Sequence, residues 1–101
     1  MSDPPKNPDG ARKAAPPGER PVRHVAFYTK GGCHLCEHAE ELLEDAQADY
    51  DLRITAVDIT TDLTTFARYR YEIPVIVVEG GAIVSGRIDR DGLRHALEST
   101  A

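Results

Sequence analysis

The residues best suited to chemistry are Cys33 and Cys36, the only two cysteines of the chain, in the stretch Tyr28-Thr29-Lys30-Gly31-Gly32-Cys33-His34-Leu35-Cys36. They follow a strand-like run and stand at the start of a helical one. A helix start offers unpaired backbone N–H groups and the positive end of the helix dipole, and both favour a thiolate over a thiol. A cysteine in such a place falls from an ordinary pKa of about 8.5 to below 7.5. The thiolate is the species that attacks a disulfide. Cys33 is therefore the candidate nucleophile. Cys36, one helical turn on and expected to be more buried, is the candidate that resolves the mixed disulfide. The alternative is a pair of structural thiols.

Neighbouring groups act on this site in opposite directions. Lys30 can stabilise the thiolate or simply face solvent. His34, if protonated, favours the thiolate, whereas Glu37 disfavours it. Zinc is a weaker reading. CxxC supplies two of four tetrahedral ligands, there is no second cysteine pair, and His34 and His38 point away from the cysteines. No metal site is expected. Further along, Pro74 opens an apolar run, as a proline tolerated in a sheet must. Gly86 can admit a close approach of substrate backbone or mark a bulge. Asp89 can accept hydrogen bonds from a ligand or cap a helix.

The elements that must hold these residues follow from periodicity. Val22 to Thr29 is β-rich and partly alternating. From Cys33 to about Gln47, Cys36, Ala39, Leu42, Leu43 and Ala46 fall in steps of three and four, which marks one helical face. Glu37, Glu40, Glu41, Glu44 and Asp45 lie opposite. Leu52 to Ile59 reads as a second strand. Thr61 or Asp62 can cap a short helix through about Tyr69, with Leu63, Phe66 and Ala67 inward. Val75 to Val78 reads as a buried strand, Gly80-Gly81 as a two-residue hairpin, and Ala82 to Ile88 as the returning strand. A last helix runs from about Arg90 to Glu98. The order βαβ–α–ββα predicts an α/β fold, a four-stranded mixed sheet flanked by helices on both faces, which is the thioredoxin-like architecture.

Composition bounds the rest. A chain of 101 residues allows one small domain. Six of its seven prolines fall in residues 1–21, where the apolar residues after Met1 are alanines alone. Such a segment cannot offset its ordering entropy, so residues 1–21 are expected to be a disordered tail and 22–101 the domain. The tail has no apolar central run of a secretory signal, and no stretch is apolar enough to span a membrane. The net charge of −5 is concentrated in the domain, which argues against nucleic acid or an anionic membrane as partner. Two cysteines without a signal point to a reducing cytoplasm, where CxxC is redox-active or metal-binding rather than a permanent staple.

Tyr28-Thr29-Lys30 followed by Cys33-x-x-Cys36 resembles the active segment of dithiol glutaredoxins. Glu72-Ile73-Pro74-Val75 resembles their Thr-Val-Pro segment, and Gly86-Arg87-Ile88-Asp89 their later Gly-Gly-x-Asp segment. The resemblance covers residues 22–98. It extends to short bacterial glutaredoxin-like proteins with Cys-x-Leu-Cys, here with Tyr69 and Tyr71 ahead of Pro74. It implies a cis Ile73–Pro74 bond facing Cys33, with the Ile73 backbone pairing with a bound disulfide substrate. It also implies a glutathione site drawing on Lys30, Gly86 and Asp89. His34-Leu35 replaces the usual Pro-Tyr, and Arg87 stands where a second glycine is expected.

These readings describe a small, monomeric, cytoplasmic thiol–disulfide oxidoreductase. It would act on disulfide-containing proteins or glutathione mixed disulfides. No cofactor is bound, and glutathione or a thioredoxin-reductase-like partner serves as reductant. The alternative is a non-catalytic thioredoxin-fold binding module or an iron–sulfur cluster carrier. Such a cluster would take Cys33 from each of two chains together with two external thiols.

Overall fold

The apolar faces read from the sequence in Val22–Thr29, Val75–Val78 and the two long helices become buried faces in the three-dimensional structure. The structure is a computed structural model that describes residues 20–99. Its elements are β1 (Val22–Thr29), α1 (His34–Ala46), β2 (Asp51–Asp58), a 3-10 turn (Ile59–Thr61), α2 (Leu63–Tyr69), β3 (Val75–Val78), β4 (Ile83–Ser85) and α3 (Arg90–Glu98). The sheet order is β2-β1-β3-β4. β1 and β2 run parallel, joined through α1, while β3 is antiparallel to both β1 and β4. The fold is thus a mixed four-stranded α/β sheet with three helices, of the thioredoxin-like kind.

One face of the sheet supplies Val25, Phe27, Leu52, Ile76 and Val78 to the core. Onto them pack Ala39, Leu42 and Leu43 of α1 and Leu93, Ala96 and Leu97 of α3. Full burial of each such leucine, isoleucine or valine contributes roughly 1.5–3 kcal/mol. Tyr28, which alternates with Phe27 and so points to the other face, stacks on Tyr69 of α2 with ring centroids 4.3 Å apart. α2 therefore lies on the face opposite α1 and α3.

The helix starts follow their caps. The Asp62 carboxylate accepts from the Thr65 backbone N–H at 2.9 Å, and that of Asp89 from the Gly92 N–H at 2.7 Å. Across the α1–α3 seam Arg90 pairs with Asp45 at 3.5 Å and Arg94 with Asp49 at 3.1 Å. The Tyr50 hydroxyl donates to Glu98 at 2.8 Å.

Three expectations need correction. Leu63 and Ala67 do not point inward. Leu63 is 87% exposed and α2 buries no residue, because so short a helix meets the sheet through the stacking of Tyr69 on Tyr28. The hairpin is not a two-residue turn at Gly80-Gly81. Gly81 N–H donates to the Val78 carbonyl and Val78 N–H to that of Ala82, so the loop is Glu79 to Gly81. The returning strand does not reach Ile88. β4 stops at Ser85, and Gly86, at φ +72°, turns the chain out of the sheet.

Arg20 and Pro21 already touch the folded unit. An Arg20 guanidinium N–H donates to the Gln47 carbonyl, and the Pro21 carbonyl accepts from Asp51 N–H at 2.8 Å. The rest of the segment expected to be a tail, residues 1–19, lies outside the described residues. Among the described residues no helix is long and apolar enough to cross a membrane.

Candidate redox site

The register of the sheet decides what surrounds the cysteines. β1 delivers the chain to Lys30-Gly31-Gly32, and parallel pairing sets Thr29 beside Asp58 at the end of β2. On the other flank Tyr28 lies opposite Val75, so the start of β3 and the preceding Pro74 sit at the same end of the sheet. Gly32, at φ +76°, takes the left-handed conformation that turns the chain into α1.

Cys33 is the N-cap of α1. Its backbone is extended, and its Sγ accepts the backbone N–H of Cys36 at 3.1 Å. The sulfur thus occupies the position where a capping serine or aspartate oxygen usually sits. Cys33 and Cys36 are joined as a disulfide with Cα atoms 5.2 Å apart, within the ordinary range for such a bond. Their exposures differ. Cys33 is half-buried, whereas Cys36, on the inner face of α1, is only 2% exposed. An incoming reactant reaches the first sulfur and not the second.

A cleft of about 290 Å³ opens beside Cys36, lined also by Thr29, Lys30, Glu37, Glu40 and Asp58. The Asp58 carboxylate is held below its usual range by hydrogen bonds from the Thr60 hydroxyl and backbone N–H, at 2.6 and 2.9 Å, with a further contribution from the Lys30 charge. Lys30 is thus part of the site's surroundings, and its ammonium acts on Asp58.

The other residues singled out in the sequence are distributed around this end of the sheet. His34 is 98% exposed, and its Nδ1 lies 3.6 Å from Glu37, so its ring faces solvent and a carboxylate. The Ile73–Pro74 peptide bond is cis and Pro74 is buried. Ile73 N–H is donated to the Tyr69 carbonyl at 3.1 Å. Gly86 N–H donates to the Pro74 carbonyl at 2.9 Å, which ties the end of β4 to the proline. A Cβ added at Gly86 would meet no atom within 4 Å, so the backbone is open on that side. Asp89 is engaged as the α3 cap. Arg87 is exposed. Among the described residues no group of three His, Cys, Asp or Glu side chains is placed to hold a metal ion.

Asp58, Glu40 and the stacked Tyr28–Tyr69 pair were not singled out as site residues from the sequence. The signal for Asp58 was available, since parallel strands joined by a crossover bring their C-terminal ends side by side. That for Glu40 was not, because its carboxylate is one of many on a solvated helix face.

Comparison with known proteins agrees with this geometry. Residues 24–98 match the model of a protein family described as glutaredoxin-like domain (DUF836). The chain is 30% identical over 82 residues to "Glutaredoxin-like protein YDR286C homolog" of Dictyostelium discoideum, across 75% of this chain and 76% of that protein. It is also similar to the X-ray structure of the Northeast Structural Genomics target protein XcR50 from X. campestris. There the TM-score is 0.63 at 28% identity, covering 73% of this chain and 95% of the other. With a family match over most of its length and a CxxC pair at the first strand-to-helix junction, this chain belongs to the glutaredoxin-like domain family.

Proposed function

We propose that the protein is a thiol–disulfide oxidoreductase that reduces protein or glutathione mixed disulfides through Cys33 and Cys36. The observation that carries this reading is the asymmetry of the pair: a reachable sulfur at the helix cap and a buried one a turn inside. In the reduced protein the Cys33 thiolate attacks a substrate disulfide. One sulfur of the substrate leaves as a thiolate, and the other forms a mixed disulfide with Cys33. The Cys36 thiolate then attacks Cys33 Sγ, releases the second substrate thiolate and closes the Cys33–Cys36 disulfide. Two electrons pass to the substrate. A thiol reductant, glutathione or a partner protein's dithiol, returns them by the reverse exchange.

The remaining residues support binding. The Cys36 N–H that meets Cys33 Sγ would favour the thiolate after reduction, since a hydrogen bond to an ionised acceptor is shorter and stronger than to a neutral one. Ile73 offers its carbonyl, which accepts no hydrogen bond among the described residues, to the backbone of a bound substrate. Lys30 and the open Gly86 backbone are the candidate contacts for glutathione, and the reading places the protein in a reducing compartment such as the cytoplasm.

The experiment is reduction of a glutathione mixed disulfide, coupled to glutathione reductase, with wild type, Cys33→Ser and Cys36→Ser side by side. Turnover that vanishes in Cys33→Ser is the expected result. Equal turnover in wild type and Cys33→Ser would overturn the assignment of the nucleophile. No turnover with a reversibly forming Cys33–Cys36 disulfide would remove glutathione from the reading and leave a protein reductant.

A further inference from the structure

The carboxylates of α1 divide into two flanks that the structure treats differently. Toward α3, Asp45 is paired with Arg90, and Asp49 beyond the helix end with Arg94. Toward β2, Glu40 and Glu44 make no ion pair among the described residues. This second flank borders a groove. The cleft beside the disulfide shares Thr29 and Glu40 with a second cleft of about 230 Å³, whose walls include Phe27, Leu43, Ile54 and Ala56. The two form one corridor, leading from the Cys36 side of the disulfide along the line between α1 and β2.

The floor of that corridor is a sheet edge. Among the described residues β2 stands outermost and pairs with β1 alone, over eight residues without a proline. Leu52, Ile54 and Ala56 alternate onto the α1 face, yet only Leu52 is buried. Ile54 is 36% exposed and Ala56 is exposed too. The Gln47 side chain takes the outward N–H and carbonyl of Leu52, and beyond it the helical layer stops short of the edge, leaving Ile54 and Ala56 beside unpaired backbone groups. Such an edge is a template for another strand unless something blocks it.

We propose that this corridor docks an extended, cationic segment of the protein whose disulfide exchanges with Cys33. The segment adds to the free edge of β2, seats an apolar side chain over Ile54 and Ala56, and sets basic groups against Glu40 and Glu44. This rests on the redox reading above and names the partner for it. Strand addition supplies affinity through main-chain hydrogen bonds, and side-chain pockets supply specificity. The unpaired carboxylates steer a basic segment and repel an acidic one. A second copy of this chain fits poorly. Two β2 edges paired together would bring two acidic α1 flanks, each on a domain with an excess of carboxylates, against each other.

The test uses the full chain, reduced with dithiothreitol and desalted. Two peptides of equal length carry the same cysteine as a mixed disulfide with thionitrobenzoate and the same central leucine. One is rich in lysine, and the other has glutamate at each lysine position. Release of thionitrobenzoate reports attack by Cys33. The lysine peptide is expected to react at least about tenfold faster at low ionic strength, with the advantage shrinking at high salt. In Glu40→Lys/Glu44→Lys it should fall to about unity or below. Amide NMR shifts on adding the lysine peptide with serine for cysteine should fall on 54–57 and 40–44. Equal rates for the two peptides, a preference unchanged in the double variant, or shifts confined to the Pro74 and Gly86 side would overturn the docking surface. Self-association that broadens the β2 amides would put a second copy there instead and also overturn it. Reduction of neutral hydroxyethyl disulfide separates the two claims. Exchange with it but no peptide preference defeats the docking surface alone, and exchange with no disulfide defeats the redox reading as well.

Discussion

At the scale of the residue, the account turns on two sulfurs in unlike places. Cys33 caps α1 and is reachable, and Cys36 lies on the helix's buried face. Alkylation by iodoacetamide at neutral pH, followed by peptide mass mapping, should therefore modify Cys33 at least about tenfold faster than Cys36 in the reduced protein, since reactivity follows thiolate character and access. His34 makes a contrary prediction. Its ring is 98% exposed and lies 3.6 Å from Glu37, so His34→Ala should change the Cys33 alkylation rate by no more than about twofold, because solvent screens such pairs. The unequal burial of the cysteines was legible in the sequence, because three-residue spacing at a helix start sets Cys36 on the inner face. The direction of the His34 ring was not legible, as nothing in the local pattern says whether an exposed imidazole turns to the sulfur or to the carboxylate a turn on.

At the scale of the element, caps and turns carry the precision. Asp89 fastens the start of α3 through the Gly92 N–H, and Asp89→Ala should cost about 1 kcal/mol in a denaturant titration. Gly86 holds φ +72° where β4 leaves the sheet, and its N–H ties that turn to Pro74. Gly86→Ala should cost roughly 1–2 kcal/mol for the left-handed backbone alone, as there is space for the methyl group. Element type and order were readable because each long element has a one-sided apolar pattern, as in Leu42-Leu43 of α1 and Leu93, Ala96 and Leu97 of α3. Extents were less readable where tertiary pairing decides them. β4 ends because Gly86, at φ +72°, turns the chain away and Pro74 opposite it has no N–H to continue the ladder. Leu63 is exposed because α2 covers only the end of the sheet near Tyr28.

At the scale of the whole molecule, stability should follow pH in a particular way. Asp51, Asp58 and Asp62 all have folded pKa values below the ordinary carboxylate range, through hydrogen bonds from Arg53, from Thr60, and from the backbone and hydroxyl of Thr65 respectively. A lowered folded pKa gives stability that is present above the unfolded value of about 3.9 and is lost as pH falls through the folded one. The denaturation midpoint should therefore decline on acidification below about pH 4. Tyr50 works at the other end. Burial, then its hydrogen bond to Glu98, raises its pKa, so its contribution is complete below about pH 10 and is lost as pH rises further. Tyr50→Phe should lower stability by about 1–2 kcal/mol at neutral pH and remove that alkaline loss. The same scale sets the asymmetry of the surface, with one flank of α1 neutralised by α3 and the other open along β2. No single stretch of sequence contains that contrast, because it depends on which carboxylates the fold brings to arginines.

The most direct test of the central claim, that Cys33 is the exchanging sulfur of a redox-active pair, is intact-protein mass spectrometry after brief exposure of reduced Cys36→Ser and Cys33→Ser proteins to hydroxyethyl disulfide. The account predicts a mixed disulfide that accumulates on Cys33 in the first variant and is resolved in wild type to the Cys33–Cys36 disulfide, with little adduct in the second. Faster adduct formation on Cys36 than on Cys33, or no adduct on either, would contradict it.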